Sequence, residues 1–243
     1  MIKFFRKIRQ NLLSEGKTGK YLKYAVGEIV LVVIGILIAL QINNANENRK
    51  TNGIKKEYYR QILVDLDKEI DNINTRIIAL DSSITSSDNY FKNFKTADLQ
   101  LNQLIDELCK VEYTFQYVYF NTNTIQTLES TGDIKLIPEN IRNSLIELKR
   151  RQDRISLAAG NNYDIYLNAH EKALQLGFPR LRFQASKANE LGLENKFAEI
   201  ILTSEGSLML KNYTDKMVKR FLIDMLIEVN KIKEMITVEL KEK

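Results

Sequence analysis

From Tyr24 to Ile42 the chain carries only two strongly polar side chains, Glu28 and Gln41, and between Ile29 and Leu40 it carries none. At about 1.5 Å per residue such a run matches the thickness of a bilayer's hydrocarbon core. A helix satisfies its own backbone there, so the pattern predicts a transmembrane helix. Beyond it the pattern changes to apolar residues spaced three and four apart. The first stripe runs Leu63, Leu66, Ile70, Ile73, Ile77, Leu80, Ile84, Phe91 and Phe94, with Ser87 filling one position. A second runs Leu101, Leu104, Leu108, Val111, Phe115, Val118, Thr122 and Ile125, and ends at Thr131 and Gly132, where glycine suits a left-handed cap. A third opens after Pro138, with Glu139 complementing the helix dipole, and continues through Ile141, Leu145, Leu148, Ile155 and Ala159, interrupted at Gln152. The last, from near Gly206, shows Val218, Leu222, Met225, Val229, Ile232 and Ile236.

Four amphipathic stripes joined by short connections predict an all-α chain: one transmembrane helix followed by an extramembrane up-down four-helix bundle with long helices. The expected organisation is a basic tail over residues 1–23, a membrane helix over 24–44 and a helical domain over 45–243. Gly177, Pro179 and Gly192 mark a break between the third and fourth stripes, with a short helix expected from about Lys187 to Leu202. Three places are locally ambiguous. Ser82 to Ser87 lowers helix propensity and leaves a bend open there. Ile134 to Ile137 is a short strand-like run. Val111 to Phe120 also alternates with period two, but its heptad phase continues on both sides, and an isolated strand would leave backbone groups without an evident partner, so helix is expected. The same spacing could serve an intermolecular coiled coil, although four stripes in one chain favour an internal bundle.

Charge orients the anchor. Lys3, Arg6, Lys7, Arg9, Lys17, Lys20 and Lys23 precede the apolar run against Glu15 alone, which favours a cytoplasmic N-terminus with these residues at lipid headgroups. The far flank also carries Arg49, Lys50, Lys55, Lys56 and Arg60, so the asymmetry is partial. A cleaved signal peptide is the competing plan, opposed by the long basic region and by Asn43, which would sit where cleavage after Ala45 wants a small residue. With 36 basic and 31 acidic residues in all, removing this tail leaves a nearly neutral body, so no nucleic-acid partner is expected.

Chemistry is sparse. One cysteine, Cys109, excludes an internal disulfide and suits a small core position. One histidine, His170, is expected at a helix boundary. No phosphate-binding glycine motif is present, and neither a zinc cluster nor a bundle di-iron set can be assembled, so no cofactor, metal or catalytic residue is assigned. Tyr113, Phe115, Tyr117, Tyr119 and Phe120, followed by Asn121 to Thr124, form the best ligand-pocket candidate, with an aromatic core layer as the plainer reading. Glu28 is the sharper anomaly, a carboxylate in the first turn of the span. By helical turns it shares a face with Val32, Gly35, Ala39 and Ile42, and the small residues Gly35 and Ala39 allow close helix approach. It could pair with Lys20 or Lys23, or carry protons.

The opening Met1 to Leu13, followed by Tyr21 to Asn44, resembles an uncharacterised bacterial family of single-pass envelope proteins assigned to a domain of unknown function. A weaker resemblance covers Asn121 to Ile137, including Thr124, Ile125, Leu128, Gly132, Ile134 and Ile137. Ala45 stands where members usually carry tryptophan, removing an outer interfacial anchor. The resemblance implies a bacterial inner membrane, with the helical domain periplasmic, and brings no activity. The expected function is a noncatalytic interaction, scaffold or sensor module whose partners are the bilayer and a membrane protein or a second copy. The alternative is a subunit of an energy- or transport-coupled complex with Glu28 as its working group. A cytoplasmic tail this short has no room for a folded output domain, so any signal would pass through a partner helix or assembly.

Overall fold

A computed structural model of the chain describes residues 18–96, 98–113 and 117–241, apart from the side chains at 18, 20, 21, 96 and 183–185. Helix α1 spans Thr18–Thr96, α2 Leu101–Lys110, α3 Asn123–Thr131, α4 Glu139–Gln175, α5 Phe178–Gln184 and α6 Phe197–Lys241, with 3₁₀ turns at Asp133–Leu136, Ala185–Lys187 and Leu193–Lys196. Among the described residues there is no strand. The chain divides after Glu57 into two compact units.

In the first unit every large apolar side chain from Leu22 to Ile42 is exposed. Among the described residues, α1 is the helix long and apolar enough to cross a membrane.

The second unit is a bundle whose directions follow from its cross-links. Going up α1, Asp67, Asp81 and Asp88 meet Lys233, Lys219 and Lys216, so α1 and α6 are antiparallel. Arg151 meets Glu228, and Lys172 meets Glu199, so α4 and α6 are antiparallel too. Asn93 bonds Glu107 while Tyr58 bonds Asp133, which runs the α2–α3 stave antiparallel to α1. The expected up-down order is present. One core joins α1, α3, α4 and α6 around Ile73, Leu128, Leu145 and Val229; a second joins α2, α5 and α6 around Leu108, Phe178 and Ile200.

Two expectations are corrected and one open point is decided. The second stave is two short helices, because residues 111–113 and 117–122 are not helical. Side chains of α1 supply the partners an isolated extended segment lacks: Arg76 donates to the Tyr117 carbonyl, Asn72 Nδ2 donates to the Tyr119 carbonyl at 3.3 Å, and Glu69 and Ser86 accept the Asn121 and Glu112 amides at 3.2 and 2.9 Å. Residues 117–121 thereby run beside α1 from Arg76 back to Glu69. Extended chain at about 3.3 Å per residue covers that distance; helix at about 1.5 Å does not. β-branched and aromatic residues, which lose rotamer freedom in a helix, fit the extended form. Secondly, at Ser82 to Ser87, where the sequence leaves a bend open, α1 continues as unbroken helix, with Ser82 and Ser86 bonded to Glu112, Ser83 to Asp215, and Ser87 to the Ser83 carbonyl. Thirdly, no helix starts at Lys187: 3₁₀ turns carry the chain into α6, which begins at Phe197, upstream of Gly206. Gly132 caps α3 at φ 76° as expected. Gly177, at φ 107°, closes α4 where a Cβ would be strained by the backbone and would lie 2.8 Å from Leu193 Cδ2, so that side chain would have to shift.

Arg76→Ala is expected to raise amide exchange about tenfold through the 117–122 segment while the centres of α4 and α6 stay protected, as read by hydrogen–deuterium exchange. Unchanged exchange in that segment would show that Arg76 does not hold it.

Candidate functional site: a buried polar seam

The apolar stripe of α6 does not stop at Val218. Continued upstream at the same spacing it passes through Asp215, Lys211, Leu208 and Ser204, all buried. Polar residues therefore occupy core positions. The inner face of α1 likewise holds Glu69, Ser83 and Ser87 beside Leu66, Ile73 and Leu80, and that of α4 holds Gln152, Tyr163 and His170.

Three helices meet at Asp215. Lys211 Nζ lies 2.6 Å from Asp215 Oδ2, one turn away on α6. Ser83 Oγ of α1 donates to the same oxygen at 2.7 Å, and Tyr163 OH of α4 donates to Oδ1 at 2.7 Å. Lys211 also donates to Ser83 Oγ. Lys211 and Tyr163 are 0% exposed, Asp215 and Ser83 1%. Burial, and then the Asp215 charge and hydrogen bond, push the Tyr163 phenol up, so it stays a donor.

Further along the seam His170 is buried, which corrects the boundary position expected for it. Its Nδ1 lies 3.0 Å from Ser207 Oγ, and its ring stacks on Tyr113 at 5.1 Å and Tyr166 at 5.6 Å, with Phe178 edge-on. Arg182 covers Tyr113 at 4.9 Å and donates to the Val111 carbonyl at 2.7 Å. Burial, and then the Arg182 charge, hold the imidazole below its ordinary pKa. Cys109 packs half-buried against the same core, with burial raising its thiol.

The sequence-predicted residues fall elsewhere. Glu28 is half-buried on α1, with Gly35, Ala39 and Lys23 exposed. Lys20 lies in α1 with its side chain outside the described part, and Lys3, Arg6, Lys7, Arg9 and Lys17 lie outside the described residues. The aromatic group is dispersed. Tyr113 joins His170, Tyr117 and the 68% exposed Tyr119 stack on each other, Phe120 flanks the first core, and Phe115 lies outside the described residues. Asn121 and Thr124 line a cavity of about 10 Å³, too small for the ligand that reading requires. Reading the 3-4 spacing straight through polar residues would have found Ser83, Tyr163, Lys211 and Asp215. Among the described residues, no three His, Cys, Asp or Glu side chains gather to hold a metal.

Fold and seam define an all-α protein with a helix suited to crossing a membrane and a bundle pinned by buried polar contacts. A model described as a family of unknown function, DUF6090, matches residues 28–192, more than half of the chain, and the chain belongs to that family. The match runs from α1 to the turn after α5 and leaves Lys211 and Asp215 outside it. No curated protein and no solved structure matches.

Lys211→Met is expected to cost about 3–5 kcal/mol in denaturant unfolding of the detergent-solubilised chain, because Asp215 is left charged and buried. Replacing Asp215 by Leu as well should recover part of that loss; a neutral single variant would contradict the pair's place in the core. Since the folded His170 pKa is depressed, its contribution is complete above the unfolded value of about 6.5 and is lost as pH falls below it. Wild type should therefore lose more stability than His170→Gln between about pH 7.5 and about pH 5.5, and parallel losses would contradict this.

Proposed function

We propose that this chain is a single-pass anchor of the bacterial inner membrane whose periplasmic helical domain works as a noncatalytic interaction module, as scaffold or sensor. The observation that carries the reading is the exposed run from Leu22 to Ile42, where an entire helical surface is apolar and uncovered by protein. Lipid is the medium that suits it. The basic residues Lys3, Arg6, Lys7, Arg9, Lys17, Lys20 and Lys23 favour a cytoplasmic N-terminus and contact with anionic headgroups. Glu28 sits at the inner lip of the span, and Gly35 and Ala39 offer the small face by which this helix meets a second one.

The noncatalytic reading is supported by how the titratable groups are spent. Asp215 accepts from three donors at a site where its neighbours are at most 1% exposed, leaving no approach for a substrate. His170 is likewise enclosed by rings and Ser207.

Chemical cross-linking in native membranes followed by mass spectrometry tests the interaction role. Recurrent links from lysines of the domain to one membrane protein or to a second copy are expected. Links confined to single chains would count against it.

A further inference from the structure

Within the first core, α1, α3 with the segment before it, and α4 border a cavity of about 10 Å³, room for about one water molecule. Glu69 and Gln152 both line it and are each 2% exposed. Glu69 Oε2 accepts the Asn121 amide at 3.2 Å, but Glu69 Oε1 and Gln152 Oε1 have no protein donor. The neighbouring donors point elsewhere: Asn121 Nδ2 donates to Asp65 Oδ1 at 3.1 Å, and Thr124 Oγ1 donates to Asp65 Oδ2. Two stranded acceptors from different helices thus border one void of a single molecule's size. A guest there has to offer two protons, and buried acceptors left bare are rare in folded proteins.

We propose that this cavity is a binding site for one ordered water, which donates one proton to Glu69 Oε1 and the other to Gln152 Oε1 and so ties α1 to α4. The bridge explains why an amide and a carboxylate face each other between the apolar layers of Leu66 and Leu148. It is independent of the Lys211–Asp215 junction, which lies farther along the bundle. Burial raises the Glu69 carboxyl, opposed by the Asn121 amide and the Arg76 charge.

The test is a crystal structure of the full-length protein in detergent, grown with rubidium chloride and measured for anomalous scattering. A single peak about 2.7–3.2 Å from both oxygens with no anomalous signal is expected. A rubidium peak there would replace the water with a cation and overturn the proposal. So would an empty cavity with Glu69 and Gln152 in direct contact. Thermal unfolding of full-length Gln152→Leu gives a second readout. Breaking a water bridge lowers the midpoint by about 2–4 °C, whereas in a dry cavity the substitution removes the unpartnered Gln152 Oε1 and raises it.

Discussion

Apolar surface must leave water, and α1 meets that demand in two different ways along its length. From Tyr59 onward its inner residues pack against α3, α4 and α6. From Leu22 to Ile42 it has fourteen large apolar side chains and nothing folded over them. Even half-exposed, such residues would cost on the order of 20 kcal/mol in water, more than the net stability of an ordinary domain. The suitability of this helix for a membrane follows from that imbalance.

Inside the bundle a second constraint acts. Apolar stripes repeating every three or four residues can slide by a heptad at modest cost, since one leucine layer resembles the next. The junction of Ser83, Tyr163, Lys211 and Asp215 removes that freedom, because only one alignment of α1, α4 and α6 brings all four together. Shifted by a single helical turn, Asp215 would face apolar neighbours such as Leu80 or Ala159. A buried ion pair contributes little net stability, and fixing register is the use for which such pairs are best attested.

Much of the helical architecture was legible because it rests on local periodicity. Ile141, Leu145, Leu148, Ile155 and Ala159 lie inside as their spacing implied, as do Val218 through Ile236. On α1 the reading was half a face out. Ile70 and Ile77 looked central but pack at the margin, since Glu69 and Ser83 hold the inner positions and an apolar pattern skips polar residues. The segment from Val111 to Thr122 was misread for a different reason. Its partners, Asn72, Arg76 and Ser86, lie far back along the chain, and no local rule reveals that they will complete an isolated extended backbone. His170 was likewise placed by composition, whereas its surroundings come from α5, α6 and the segment carrying Tyr113.

An apolar run from Leu22 to Ile42 covered by lipid should hold the chain in the membrane. Extraction of membranes from expressing cells with alkaline carbonate, followed by intact-mass analysis of pellet and supernatant, tests it most directly. The full-length chain is expected to remain with the lipid pellet and to leave it only with detergent. Recovery of the intact chain in the aqueous supernatant would contradict the account.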